Sequence, residues 1–306
     1  MTPLPVLSWL ALAGAMMIVG AYVGFSRVLV ATFPVFLLAW LRFGIAAVAM
    51  AHWLRAAPGA PPLDRRTRGL LFLESFLGNF LFSICMLFGM REASAISAGV
   101  IMAGIPAAVA ILSRIFLHER LTPRTLGAII LAVAGVVLLA LTRGDVAAGT
   151  SPVSATGVAL LMGAVFCEAS YVVIGKRLAA DVSPRRISAI INLWGFALVL
   201  PLGLWQAATF SFASVGAGLW VGLVLYALAA SMWTVWLWMT GLKRVPAAQA
   251  GVFTVFLPIT SALVGVLFLG ERFVPQHALA FGCALAGVVL ATWPARGAPL
   301  PARGAP

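Results

Sequence analysis

The second half of the chain repeats the first. Ala95–Leu138 lies on Ala247–Leu290 without a gap, at a constant offset of 152 residues. Ala98-Gly99-Val100 returns as Ala250-Gly251-Val252, Pro106 as Pro258, and Phe116-Leu117-His118-Glu119-Arg120 as Phe268-Leu269-Gly270-Glu271-Arg272. Gly135-Val136-Val137-Leu138 likewise returns as Gly287-Val288-Val289-Leu290. An offset near half of the 306 residues is far longer than a solenoid unit, so it marks a duplicated half-protein.

The duplicated unit is apolar almost throughout. With 63% hydrophobic and 9% charged residues and a mean hydropathy of +1.09, a water-soluble globule would have to expose much of its apolar surface. A bilayer-spanning helix needs about 20 mostly apolar residues. Runs of that kind predict ten spans, near 7–27, 34–54, 69–90, 94–117, 124–142, 155–176, 186–206, 217–241, 247–270 and 274–293. The first lacks a basic leader and is long for a removed signal peptide, so it is read as a span. The predicted fold is an all-α integral membrane protein of ten transmembrane helices.

Five spans per half is an odd number, so the second copy enters the bilayer upside down relative to the first. That is the inverted-repeat plan of many secondary transporters, with a central cavity between the halves. The expected units are residues 1–148, residues 149–293 and a disordered cytoplasmic tail, 294–306. The first and sixth spans also correspond, at an offset of 149, through Gly14-Ala15 with Gly163-Ala164, Tyr22 with Tyr171, and Arg27 with Lys176. Arg55, Arg65, Arg66, Arg68, Arg114, Arg120, Arg124, Lys176, Arg177, Arg185, Arg186, Lys243, Arg244, Arg296 and Arg303 fall on one side of this topology, against Arg27, Arg91, Arg143 and Arg272 on the other, with Arg42 inside a helix. Retention of positive charge then places both termini in the cytoplasm. The net charge of +12 is thereby explained without a nucleic-acid partner.

The pattern Leu-x-Glu-Arg-x-x-Pro, followed by a Gly/Ala-rich helix, occurs as Leu117–Pro123 with Gly127–Leu138 and again as Leu269–Pro275 with Gly282–Leu290. It resembles the EamA-type branch of the drug/metabolite transporter superfamily, and the resemblance covers residues 7–293. It implies a basket of spans one to four and six to nine around the cavity, with spans five and ten outside as supports. Export of a small amphipathic metabolite is implied as well, with aromatic amino-acid exporters as the nearest group in general character. A bacterial inner-membrane location and a monomer are expected.

Several residues stand out against the apolar background. Glu168 sits deep in the sixth span, where an unpaired carboxylate costs several kcal/mol. Contact with a substrate ammonium, proton exchange, and pairing with Arg42 are all open to it; Arg42 could equally snorkel outward. Glu74 lies nearer the cytoplasmic end of the third span. Asn79 and Ser231 share the offset of 152 at mid-membrane and, with Tyr22 and Tyr171, are candidate cavity-lining groups. Asn192 is a weaker candidate of the same kind. Trp233, Trp236, Phe253 and Phe256 are candidate aromatic walls for a substrate, with Trp238 expected on a different face. Pro106 and Pro258 each remove an amide donor in mid-span, as ordinary kinks or as hinges for gating.

Catalysis finds little support in the sequence. His52, His118 and His277 fall at predicted span ends without metal-ligand spacing, and Cys85, Cys167 and Cys283 stand singly. Glycine-rich phosphate loops are absent, which leaves no ATP site. No cofactor is expected; the expected partners are the bilayer, a small-molecule substrate such as an amino acid, and protons as a candidate co-substrate. The competing readings are a passive facilitator of the same solutes, a drug or nucleoside exporter, and a membrane enzyme.

Overall fold

A computed structural model describes residues 6–55, 62–116, 153–242 and 256–292, together with Phe253 and scattered positions between 123 and 138. Every regular element among them is helical. In chain order these are α1 (Val6–Thr32), α2 (Val35–Leu54, its last turn a 3₁₀ segment), α3 (Arg65–Arg91) and α4 (Ala95–Phe116) from the first half. From the second half come α5 (Ala155–Asp181), α6 (Pro184–Ala207), α7 (Ala217–Gly241), α8 (Phe256–Phe268) and α9 (Pro275–Thr292).

Seven of these, α1 to α7, contain a stretch long and apolar enough to cross a membrane. The expectation was ten. The fifth expected span, 124–142, lies largely outside the described residues, and the ninth is described only from Phe256 onward.

Helix starts follow from local chemistry. Asp64 accepts the Thr67 amide at 2.8 Å, Ser94 that of Ser97 at 3.0 Å, and Ser154 that of Gly157 at 2.9 Å. Each satisfies one of the amides that a helix start leaves without an internal partner. Pro184 occupies the first turn of α6, where its missing N–H costs nothing. At the far end of α8, Gly270 adopts φ 67° and the Glu271 amide returns to the Gly265 carbonyl at 2.9 Å. This left-handed stop closes the helix inside the Leu269–Pro275 motif.

Two helices depart from α geometry. Ser75–Leu81 within α3 and Ala229–Trp233 within α7 are wound as π-helix, a wider turn that rotates every later side chain relative to a regular α-helix. α4 is interrupted at Ala103–Gly104. There Gly104 N–H bonds to Ile101 O at 3.0 Å, and Pro106, two residues on, has no N–H to offer the Met102 carbonyl.

The helices pack in a cross-linked pattern. α1 lies against α8 and the C-terminal part of α7, α5 lies against α4 and the C-terminal part of α3, α2 packs on α6, and α4 packs on α8. In lipid no hydrophobic force draws apolar helices together, so close backbone approach matters more. Gly20 permits it between α1 and α8, where a Cβ would strike the Leu257 carbonyl oxygen. Gly78 permits it between α3 and α5, where a Cβ would come within 2.8 Å of Tyr171. Phe33, Phe43, Leu37, Leu38 and Met86 are among the largest fully buried side chains.

Candidate functional site

α1, α2, α3, α4, α5, α7 and α8 enclose a cavity of about 70 Å³. Its apolar wall includes Met16, Val19, Phe82, Met102, Ile105, Val235, Trp238 and Leu257. Set into that wall are Tyr22, Arg42, Asn79, Glu168, Tyr171 and Thr234, whose side chains bear polar groups.

Their placement follows from the helices that carry them. Glu168, Tyr171 and Val172 share one face of α5 at spacings of three and four residues. Gly78 and Asn79 reach the cavity from the π-wound turn of α3, and Ala230 and Thr234 from in and just after that of α7. Met102, Ala103 and Ile105 line it from the interruption of α4, the place where backbone carbonyls are least committed to the helix.

Arg42 is turned inward and 3% exposed. Its Nη2 donates to Ser83 Oγ at 2.8 Å, and the Ser83 hydroxyl in turn donates to the Asn79 carbonyl, which fixes the guanidinium to α3. The cation also lies 4.3 Å from the centre of the Phe43 ring, while its Nε has no hydrogen-bond partner in the protein. The outward-snorkelling alternative is excluded. Pairing with Glu168 is not observed either, since the ion pair found among the described residues is Arg27–Glu271. Tyr22 stands edge-on to Tyr226, with ring centres 5.8 Å apart, the Tyr226 hydroxyl faces Arg42, and the buried hydroxyls of Tyr171 and Thr234 lack protein partners.

Of the residues singled out from sequence, Tyr22, Asn79, Glu168 and Tyr171 meet at this cavity. Ser231 does not line it: its carbonyl accepts from Ser188 Oγ at 3.1 Å, tying α7 to α6. Asn192 does similar work, donating to the Phe43 carbonyl at 2.9 Å between α6 and α2. Trp233 and Trp236 face outward, 38% and 40% exposed, and Trp238 lines the cavity in their place. Trp238 lies on a different face from Trp233 and Trp236, as expected, but its face is the one that meets the cavity. Phe253 and Phe256 stack on each other at 6.4 Å outside the cavity lining. Pro258 is buried in α8, its carbonyl against Gly99 of α4, while Pro106 follows the interruption of α4.

Thr234, not singled out from the sequence, also lines the cavity. Glu74 is fully buried beside Gly175, and neither of its carboxyl oxygens has a hydrogen-bond partner in the protein. It sits outside the cavity lining.

Apolar helices of spanning length, wrapped around a largely apolar cavity with a few polar side chains set into it, describe a multi-pass membrane protein. The EamA-like transporter family matches residues 7–141 and 155–293, and the chain belongs to that family. It is 33% identical over 282 residues to the uncharacterized transporter YetK of Bacillus subtilis, covering 92% of this chain and 85% of that one. It is 34% identical over 160 residues to the threonine/homoserine exporter RhtA of Escherichia coli K12, covering 52% and 51% of the two chains. A crystal structure with 18% sequence identity superposes with a TM-score of 0.62 over 92% of this chain and 94% of its own, a likeness of fold.

Proposed function

We propose that the protein is a secondary transporter that exports a small amphipathic metabolite, an amino acid in the first instance, by alternating access between two inverted five-helix repeats. The observation that carries the reading is the Glu168 carboxyl in the wall of a cavity to which both halves contribute helices. Glu168 contacts the substrate ammonium and exchanges it for a proton, so that the proton gradient drives export. Tyr22, Asn79 and Tyr171 supply uncharged hydrogen-bonding groups around it.

Three features support the repeat behind this mechanism. The family matches in two blocks of similar length. Exchanging the halves carries the α1–α8 and α1–α7 packings onto α5–α4 and α5–α3, and returns α2–α6 and α4–α8 to themselves. The π turns fall at equivalent places, with Asn79 in one and Ser231 in the other. A pseudo-symmetric scaffold of this kind reaches its second state by swapping the conformations of its halves. Pro106 and Pro258 are proposed as hinges on the self-packed α4–α8 pair. The cavity is well below the roughly 300–1,000 Å³ of small-molecule sites, so the helices must part to admit substrate. RhtA, by its name an exporter of threonine and homoserine, supports amino acids and the outward direction.

A proteoliposome uptake screen across amino acids, nucleosides and cationic drugs tests the reading. Accumulation of at least one amino acid, competed by its unlabelled form, is expected; transport confined to nucleosides or lipophilic cations would overturn the substrate assignment. For topology, cysteines placed singly at Arg120 and Arg272 in a cysteine-free background should be labelled from opposite faces of the membrane. Labelling from one face would remove the inverted repeat.

A further inference from the structure

A guanidinium keeps its charge at any physiological pH, and burying it without an anion is costly. Arg42 is buried in the cavity wall with no carboxylate in salt-bridge contact, and the protein groups that face it are the Ser83 and Tyr226 hydroxyls and a ring face. Nothing in the packing of α2 calls for a cation there, since Val35, Leu37, Leu38, Ala39, Phe43 and Ala46 around it on the same helix are apolar and buried. Its Nε remains unpaired within the protein. The same cavity holds Glu168. One fixed positive group and one carboxyl in an apolar enclosure match the two ends of a zwitterion.

We propose that Arg42 is the residue that recognises the substrate's carboxylate, which makes the cavity a site for zwitterionic α-amino acids in preference to amines, cationic drugs or uncharged nucleosides. The inference rests on the transport reading above and narrows its substrate class. The carboxylate takes hydrogen bonds from the guanidinium, which Ser83 and the Asn79 carbonyl hold in place. The ammonium end then faces Glu168. A zwitterion brings each buried charge its counter-charge and leaves the total unchanged, whereas an amine of the same shape satisfies Glu168 and leaves its positive charge near an unpaired Arg42. Ser83→Ala, which frees the guanidinium while retaining its charge, should weaken amino-acid binding without inverting the preference.

The experiment measures binding of matched pairs to the purified full-length protein: L-threonine against 1-aminopropan-2-ol, and L-phenylalanine against 2-phenylethylamine, each amine being the acid without its carboxylate. The wild type should bind at least one acid roughly tenfold or more tighter than its amine, the range expected for a hydrogen bond to a charged group. Arg42→Gln should bring that ratio close to one while retaining amine binding, and Arg42→Lys should fall between. A structural role alone would weaken acid and amine together, so an unchanged ratio in both variants overturns the proposal and leaves the transporter reading standing. If Arg42→Gln does not fold, the ratio in Arg42→Lys decides, because a lysine keeps the charge but lacks the forked geometry. A wild type that prefers the amines overturns the amino-acid reading and the role of Arg42 with it.

Discussion

Arg27 Nη1 stands 2.6 Å from Glu271 Oε1. The same carboxylate accepts the amides of Ala95 at 2.8 Å and Ile96 at 3.0 Å. One side chain from the Leu269–Pro275 motif therefore joins α1 to the start of α4, where a helix presents unpaired amides and partial positive charge. Glu271 is 6% exposed at its side chain and Arg27 is 42% exposed. The burden falls on the carboxylate.

Unequal costs follow from that asymmetry. Glu271→Ala should destabilise the purified protein by about 3 kcal/mol or more, since several hydrogen bonds to a charged group are lost at once. Arg27→Ala removes a partly solvated partner and should cost about 0.5–1 kcal/mol. Thermal unfolding in detergent compares the two; equal losses would mean that the ion pair, and not the helix start, is what the motif serves.

Close approach at Gly20 makes a second case. Gly20→Ala places a methyl against the Leu257 carbonyl and should cost about 1–3 kcal/mol while impairing transport. Gly218→Ala meets nothing within 4 Å and serves as the control, with both properties unchanged.

Helical facing separates three tryptophans of α7: Trp238 lines the cavity, and Trp233 and Trp236 face outward. Trp238→Leu should alter the substrate KM or selectivity severalfold, whereas Trp233→Leu and Trp236→Leu should leave both near wild type. A reversed pattern in uptake kinetics would place the cavity on the other face of α7.

Asp64 lies outside the membrane-spanning stretch, and its hydrogen bonds from Thr67 hold its carboxyl below the usual carboxylate range. A lowered folded-state pKa contributes stability that is complete above the unfolded value, near pH 4, and is lost as pH falls through the folded one. Asp64→Ala should therefore lower stability slightly at neutral pH and make no difference in strong acid, as unfolding at a series of pH values would show.

Much of this architecture was legible in the chain. Runs of apolar residues located α1 to α7, because a bilayer demands length and composition and little else. Tyr22, Asn79, Glu168 and Tyr171 stood out because polar groups are rare and costly at that depth. Local winding was not legible: nothing in Ala229–Trp233 announces a π turn, and helical spacing set Trp238 apart from Trp233 and Trp236 without saying which face meets the cavity. The inward course of Arg42 depended on Ser83 and Phe43 waiting for it, a tertiary fact that helical spacing alone does not contain. The role of Glu271 was hidden for a similar reason, since its partners lie 175, 176 and 244 residues away in sequence.

The central claim is that substrate and proton share the Glu168 carboxyl. Glu168→Gln in proteoliposomes addresses it directly, by comparing accumulation driven by an imposed pH gradient with exchange of labelled for unlabelled substrate at equal pH. The variant should lose gradient-driven accumulation and retain exchange. Gradient-driven accumulation at the wild-type rate would contradict it.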